Sequence, residues 1–210
     1  MDFDDAFSEH EQVIIRAYLG LMLEEPYDKI TVKEITQRCS LSRTTFYRSF
    51  EDVYDLLERI ERYLLDELWL YRHEDMESHP VCEPVESIER WIDVGISLRP
   101  MLRSVMGENG DLYFKERLKK QVTDGLNLMM DDERVPNDTL RPYYVDTIAA
   151  AYIGLLNHIA LVEDSNDLLP ACDIVTIANS MRIAYFKSAS DAPEISETQL
   201  FGGSDTRGNE

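Results

Sequence analysis

The chain has few cysteines, no long apolar run and no signal-peptide pattern in its first residues. Its three cysteines, Cys39, Cys82 and Cys172, are widely spaced among 210 residues, which indicates reduced thiols rather than a disulfide framework. No run of about eighteen apolar residues occurs, so no membrane span is predicted. The N-terminus, MDFDDAF, is acidic and lacks the basic and apolar regions of a signal peptide. These absences predict a cytoplasmic protein with no membrane partner.

Short motifs of the common enzyme classes are also missing. The sequence contains no G-x-G-x-x-G, P-loop, G-x-S-x-G or H-E-x-x-H pattern. Adjacent acids such as Asp131 and Asp132 are expected in a chain with 41 acidic residues, and nothing couples a nucleophile to a base. We therefore predict no catalytic site and no cofactor, and a small-molecule enzyme is the least favoured interpretation.

Positive charge is scarce, and its distribution is uneven. The 21 basic residues leave a net charge of −20, which as an average argues against nucleic-acid binding. Residues 29–48, however, include five basic residues and one acid, so this segment carries a net charge of +4. Such asymmetry orients a protein on DNA with its basic face inward and weakens non-specific binding.

Residues 30–50 predict two short helices joined by a tight turn. Thr31 and Glu34 form a capping box, in which each side chain satisfies a backbone amide that the helix start leaves unpaired. Ser42 is a favourable N-cap for the second helix. This arrangement is typical of a helix-turn-helix, whose second helix enters the major groove of DNA.

The second of these helices has an apolar face and an outward polar face. Phe46 and Phe50 are spaced i, i+4, so they can anchor the helix to a core. Arginine can bond guanine edges, threonine can contact a thymine methyl group, and a tyrosine hydroxyl can bond phosphate. These residue types form the outward face, which comprises Arg43, Thr44, Thr45, Tyr47 and Arg48.

The segment from residue 14 to residue 57 resembles the DNA-binding domain of the TetR family of bacterial regulators. The shared T-V-x-x-I and L-S-x-x-T-F-Y-x-x-F patterns stand here at Thr31, Val32, Ile35, Leu41, Ser42, Thr45, Phe46, Tyr47 and Phe50. The resemblance implies an all-α homodimer that binds a palindromic operator in double-stranded DNA. It also implies a transcriptional regulator, most often a repressor that an unknown small-molecule effector releases.

We assign the DNA contacts within this domain by residue type. Arg43, Thr44 and Thr45 are predicted to contact base edges. The phosphate contacts are predicted at Thr31, Lys33, Tyr47 and Arg48.

One position departs from the family pattern. Val53 stands where the family has a lysine that contacts a phosphate, and Glu51 and Asp52 precede it. The loss of one phosphate contact is expected to reduce the salt dependence of binding by about one unit. These residues favour an alternative function, a TetR-like co-activator or adaptor that has lost autonomous DNA binding, whereas the retained outward face of the second helix disfavours it.

The remainder of the chain predicts further helices and no strand, for about nine helices in total. We divide the whole chain into a DNA-binding domain at residues 1–50, a helical effector-binding and dimerisation domain at 51–189, and a disordered acidic tail at 190–210. The order of elements in the second domain weakly resembles the C-terminal domains of regulators from Gram-positive bacteria.

Two long apolar helices, at about residues 142–162 and 170–187, are predicted near the C-terminus. By the family resemblance they form a four-helix bundle with those of a second subunit. The predicted interface residues are Ile148, Tyr152, Leu155, Ile159, Ile174, Ile177 and Met181. Both apolar stripes could instead face the core of one subunit.

An effector cavity inside the second domain is implied by the resemblance. Its candidate lining residues, each of which could also be ordinary core, are Tyr63, Trp91, Met101, Phe114, Leu118, Tyr144 and His158. His73, His79 and Cys82 place nitrogen and sulfur ligands near one another, but their spacing matches no established zinc pattern. We therefore predict no metal site.

Overall fold

The computed structural model describes residues 3–69, 86–132, 134–135 and 139–191. The regular secondary structure of these residues is entirely helical and includes no strand, which confirms the predicted all-α fold. The N-terminal helices are α1 Phe3–Ala6, α2 Glu9–Met22, α3 Val32–Arg38, α4 Arg43–Ser49 and α5 Val53–Glu67. The later helices are α6 Glu86–Ser97, α7 Arg99–Met106, α8 Leu112–Asp132, α9 Arg141–Leu161 and α10 Ala171–Asp191, with a 3₁₀ turn at Ser165–Asp167 between the last two.

Side chains that satisfy free backbone amides set the helix starts, as the sequence predicts. The carboxylate of Glu34 accepts a hydrogen bond from the backbone N–H of Thr31 at 2.8 Å, which completes the capping box of α3. Ser42 accepts from the N–H of Thr45 at 3.1 Å. Asp52 accepts from two amides at the start of α5, those of Tyr54 and Asp55.

One helix end differs from the sequence expectation. The helix α10 continues to Asp191, so it includes the first two residues of the predicted disordered tail. The rest of that tail, residues 192–210, lies outside the described residues.

The N-terminal helices form a compact head. Helices α2, α3 and α4 pack around fully buried side chains that include Ile14, Tyr18, Ile35 and Phe46. The helix α5 leads from this head into the body, where α6 to α10 pack together. Its far end is held there by Trp91 of α6, whose indole N–H donates to the carbonyl oxygen of Leu68 at 2.9 Å.

The helix α9 is the central element of the body and contacts α6, α7, α8 and α10. In the described part of the chain it is also the one helix whose length and composition would suit a membrane span. Core helices share that property, and Ile148, Tyr152 and Leu156 of α9 are buried against their neighbours.

Buried and backbone hydrogen bonds join the head to the body. The hydroxyl of Ser104 in α7 donates to the carbonyl oxygen of Leu19 in α2 at 2.9 Å. The backbone N–H of Tyr27 donates to the carbonyl oxygen of Asn109 at 3.0 Å. The position of the head therefore depends on α7 and on the loop that follows it.

Candidate nucleic-acid interface

The turn between α3 and α4 fixes the angle between these two helices. Ser40 has a φ of 55°, a left-handed conformation that reverses the chain direction after α3. The backbone N–H of Leu41 donates to the carbonyl oxygen of Thr36 at 3.0 Å, and the Leu41 side chain packs against the core. These contacts give the tight turn that the sequence predicts.

The helix α4 buries one face and presents the other. Phe46 and Phe50 are buried beneath it with their ring centroids 5.7 Å apart. Tyr47 is 58% exposed, and its ring packs edge-on against Phe46 with a centroid distance of 5.5 Å. The remaining exposed members of the predicted outward face are Arg43, Thr44 and Arg48.

Thr45 differs from the other predicted base-contacting residues. It is half-buried, and its hydroxyl lies 2.9 Å from the hydroxyl of Ser42 within the N-cap of α4. The cap therefore engages the Thr45 hydroxyl, which leaves Arg43 and Thr44 as the more accessible polar groups of this set.

Ion pairs engage part of the positive charge near the motif. Arg38 bonds Glu24 at 2.6 Å, and Lys29 lies 3.4 Å from its neighbour Asp28. Within the described residues, by contrast, no ion pair involves Lys33, Arg43 or Arg48. Their charge is available for an anionic partner.

The acids of this region are held in their ionised form. A hydrogen bond from the Thr31 hydroxyl, at 2.5 Å, and a second from its backbone N–H lower the pKa of the Glu34 carboxyl. The hydrogen bond from Arg38 lowers the pKa of Glu24. Glu24 is paired with the Arg38 guanidinium, whereas the hydrogen bonds to Glu34 come from neutral groups, so the Glu34 carboxylate keeps its negative charge.

The family's lysine position is occupied by half-buried Val53, at the first residue of α5. The next residue, Tyr54, is 64% exposed beside the end of α4. Its hydroxyl is a candidate phosphate ligand that sequence patterns did not identify, because only the packed structure shows which face of α5 is exposed. Asp52 uses its carboxylate to cap α5 and is therefore a structural residue here.

Arg59 links its own helix, α5, to α2 and α4, and no sequence pattern indicated this role. One of its terminal nitrogens donates to the carbonyl oxygen of Ser49 at the end of α4, at 2.8 Å. The other bonds Glu11 of α2 at 2.7 Å, and the guanidinium group stacks over the ring of Phe50 at 4.7 Å. Burial acts to raise the pKa of Glu11, but hydrogen bonds from Ser8 and Arg59 outweigh it and lower that pKa.

We expect Arg59→Ala to lower the free energy of unfolding by about 1–2 kcal/mol, because it removes a charge-assisted bond and leaves a poorly solvated carboxylate. Urea denaturation at neutral pH measures this change. The matched control is Arg62→Ala, an exposed arginine on the same helix, which is expected to leave stability within about 0.5 kcal/mol. Equal stability of the two variants would contradict the role given to Arg59.

The predicted effector residues do not share one cavity. Trp91, Phe114 and Leu118 are core residues, and Trp91 also packs against the Tyr152 ring at 5.8 Å. Tyr63 packs edge-on against the rings of the N-terminal phenylalanines, and Tyr144 is half-buried on α9. The helices direct these residues to different parts of the structure, and the effector site stays a prediction.

Two other members of that set lie at cavities of different kinds. His158 is exposed on a groove of about 290 Å³ between α9 and α10, so it does not line the interior. Met101 lines a larger cavity of about 460 Å³ where the head meets the body.

The predicted interface residues divide between the core and the surface of the subunit. Ile148, Tyr152, Ile159 and Ile174 are buried within the single chain, so they contribute to its own core rather than to an exposed face. Ile177 is 44% exposed, and Leu155 and Met181 are half-buried. Four of the seven residues thus face the core of the single chain, as the alternative expects, and the dimer interface stays a prediction.

Cys39 is half-buried and Cys172 is exposed, and both are free thiols. His73, His79 and Cys82, the group considered for metal binding, lie outside the described residues.

The structure therefore has a helix-turn-helix head with an exposed basic face, joined to a helical body. Residues 14–60 match the family model described as "Bacterial regulatory proteins, tetR family", which confirms the predicted resemblance for this domain. No curated protein matches the chain in sequence.

Solved structures with the same fold include regulators of transcription. The dihydroxyacetone kinase operon activator DhaS has a TM-score of 0.58 and 17% identity, with 85% of this chain and 97% of that chain covered. The fatty acid degradation regulator FadR from Bacillus halodurans has a TM-score of 0.56 and 12% identity, with coverages of 84% and 96%. AibR, solved with isovaleryl coenzyme A and operator DNA, has a TM-score of 0.54 and 16% identity, with coverages of 82% and 97%. The chain thus has the fold of a TetR-family transcriptional regulator.

Proposed function

We propose that this protein is a cytoplasmic, homodimeric transcriptional regulator that binds a palindromic operator through α4. The observation that carries the proposal is the outward face of α4, where Arg43, Thr44, Tyr47 and Arg48 are exposed above a buried phenylalanine pair. Arginine and threonine at the start of this helix suit base edges in the major groove. Tyr47, Arg48, Thr31 and Lys33 surround them and suit phosphates.

The proposed dimer forms through the exposed parts of α9 and α10. The groove between these helices is lined by apolar side chains that include Leu155, Leu168, Leu169 and Ile177, of which Leu169 is 52% exposed. No atom of the described residues lies within 4 Å of a Cβ built on Gly154, so a second helix could approach there. A two-fold axis at this face would place two copies of α4 about 34 Å apart, which requires a palindromic site.

The proposal also includes repression of transcription and its control by a small-molecule effector. Repression relieved by a small molecule is the interpretation we favour for the chain. The structure of AibR holds isovaleryl coenzyme A together with operator DNA, which supports effector control on this fold. DhaS is an operon activator, so activation occurs on this fold as well. A reporter gene placed behind the operator, in cells with and without the protein, would show whether the protein lowers or raises transcription.

The test of DNA binding is a fluorescence anisotropy titration with the DNA upstream of the gene for this protein, repeated over a range of salt concentrations. We expect saturable binding. The logarithm of the affinity should fall linearly with the logarithm of the salt concentration, and the slope should be proportional to the number of phosphates contacted. No binding at low salt by a folded dimer would reject the proposal and favour the adaptor alternative.

Two substitutions separate phosphate contacts from base contacts. We expect Tyr47→Ala to weaken binding to specific and random duplexes alike, by about tenfold for a dimer, because it removes one hydrogen bond per subunit. Thr44→Ala is expected to alter the sequence preference instead. Binding that both variants leave unchanged would show that α4 does not enter the groove.

The adaptor alternative is not favoured by the structure. An adaptor needs no exposed set of unpaired basic residues, yet Lys33, Arg43 and Arg48 are exposed and take part in no ion pair within the described residues. The missing lysine at Val53 and the acids before it reduce the expected affinity without removing this surface.

A further inference from the structure

The larger cavity, of about 460 Å³, lies between the head and the body, and Met101 is the one residue it shares with the set predicted for the effector. One wall comes from Phe3 of α1, Leu19 of α2 and Leu23 just after α2. The other wall comes from the end of α6 and from α7, and it includes Leu98 between these helices and Met101 of α7. Its volume falls within the range of about 300–1,000 Å³ that is usual for small-molecule sites. The walls are mainly apolar and therefore suit a hydrocarbon group.

A single charged side chain is present among the described residues that line this cavity. Arg16 of α2 lies at its edge, with its guanidinium group 5.8 Å from the centroid of the Phe3 ring. The same lining residues include no acid, although the chain has 41 acidic residues. A ligand with an apolar body and one negative group would match this distribution of charge, because an arginine binds a carboxylate through charge-assisted hydrogen bonds.

The cavity spans a contact that positions the head. Ser104 lines it and also donates the buried hydrogen bond to the Leu19 carbonyl that joins α7 to α2. A molecule wedged between these helices would therefore change the angle at which the head leaves the body.

The helix α7 is also bound to the central helix of the body. The Arg99 side chain donates to the carbonyl oxygens of Ile159 and Val162, and Arg103 donates to the same Val162 carbonyl at 3.3 Å. These contacts hold the C-terminal end of α9, the helix that lines the proposed dimer groove. A displacement of α7 relative to the head would thus be transmitted to the dimer axis, which sets the spacing of the two recognition helices.

We propose that this cavity is the binding site for a small monocarboxylate with an apolar chain, and that its occupation lowers affinity for operator DNA. The second part rests on the proposed function. The site differs from the predicted interior cavity, and its ligand class follows from the apolar walls and the single arginine.

Isothermal titration calorimetry of the full-length protein with decanoate, below its aggregation concentration, tests the binding part without DNA. We expect saturable binding, about tenfold weaker for the uncharged analogue decan-1-ol, because the alcohol lacks the charge that Arg16 binds. Arg16→Gln is expected to weaken decanoate binding by about tenfold, because one charge-assisted contact is lost. Leu23→Glu places a negative charge at an exposed lining position and is expected to weaken it at least as much.

The matched controls make the same chemical changes at residues outside the cavity. Arg62→Gln on α5 and Leu128→Glu on α8 are expected to bind decanoate as the wild type does, since both residues are exposed and line no part of this site. Equal affinity of all variants would mean non-specific adsorption and would overturn the site. Absence of decanoate binding, or equal affinity for decan-1-ol, would overturn the ligand class.

The regulatory part is tested by repeating the operator titration with decanoate present. We expect weaker operator binding for the wild type and both controls, and no effect on Arg16→Gln at the same decanoate concentration. Binding of decanoate without any change in operator affinity would overturn the regulatory part. Failure of the protein to bind DNA at all would instead count against the proposed function, and the calorimetric result would stand separately.

Discussion

Gly110→Ala is expected to lower the free energy of unfolding by about 3 kcal/mol or more, the upper end of the range for overpacked sites. The loop between α7 and α8 passes directly over the end of α7. A Cβ at Gly110 would lie 1.9 Å from the carbonyl oxygen of Val105 and 2.5 Å from its carbonyl carbon. Both atoms belong to the backbone, so no side-chain rotation can relieve the clash and the loop itself must move.

Movement of that loop would also reach the DNA-binding head. Asn109, the residue before Gly110, accepts the backbone hydrogen bond from Tyr27. We therefore expect Gly110→Ala to reduce operator affinity as well as stability. Urea denaturation and the anisotropy assay measure the two effects on the same preparation.

Gly20→Ala provides the control for this substitution. A Cβ at Gly20 would meet no atom of the described residues closer than 3.6 Å, at the flexible end of Arg38. Because alanine is favoured over glycine within a helix, this variant is expected to gain about 0.5–1 kcal/mol of stability. A Gly110→Ala protein as stable as Gly20→Ala would show that the loop does not approach α7 as closely as described.

The free energy of unfolding of the wild type is expected to fall by a few kcal/mol between about pH 5 and pH 8, and the substitution Glu61→Gln is expected to remove this fall. Glu61 lies on α5 beneath the head, is 2% exposed, and contacts Arg117 of α8 through one carboxylate oxygen. Burial and the nearby carboxylate of Asp111 together raise its pKa to about 7, against the opposing effect of the Arg117 charge. The second oxygen, Oε1, is buried with no hydrogen-bond partner within the described residues.

The sign of the pH effect follows from proton binding. The folded protein holds a proton on Glu61 up to about pH 7, whereas the unfolded chain releases it near the ordinary glutamate pKa of 4.5. The folded state thus binds more protons between these values, and its stability falls as the pH rises through them. Above pH 7 the carboxylate is charged in both states, so the full cost of its burial remains.

Urea denaturation of both proteins at pH 5 and pH 8 tests this prediction. The glutamine variant and the wild type should be similar at pH 5, and the variant should be the more stable at pH 8. Other groups titrate in the same range, so Glu58→Gln, an exposed site on the same helix, serves as the control and should keep the wild-type pH dependence. A Glu61→Gln variant that shows the same loss from pH 5 to pH 8 would contradict the assignment to this residue.

Local features of the fold were predictable from sequence because short-range hydrogen bonds determine them. The capping box at Thr31 and Glu34 and the N-cap at Ser42 occur where expected, and Phe46 and Phe50 are buried as their spacing predicts. The short helix α1 was missed because its four residues carry no helical period. The Arg59 contacts were missed because Glu11 lies 48 positions away in sequence.

The body was less predictable than the head. Apolar residues on α9 and α10 identified two helices but could not be divided between core and surface, since a helix that is apolar on several faces has no single buried stripe. Tyr63, Trp91 and His158, which the sequence assigns to one cavity, lie in different parts of the structure. Which helices face one another depends on crossing angles that no local pattern records.

The sequence by itself determined the helical class, the helix-turn-helix and four of the five residues of its outward face, because helix caps, turns and i, i+4 pairs act within a few residues. Only the tertiary structure decided that Arg59 joins three helices, that Glu61 is buried beside Arg117, and that Arg16 borders an apolar cavity. These features need residues from distant helices to meet, and the packing of the whole chain fixes that geometry.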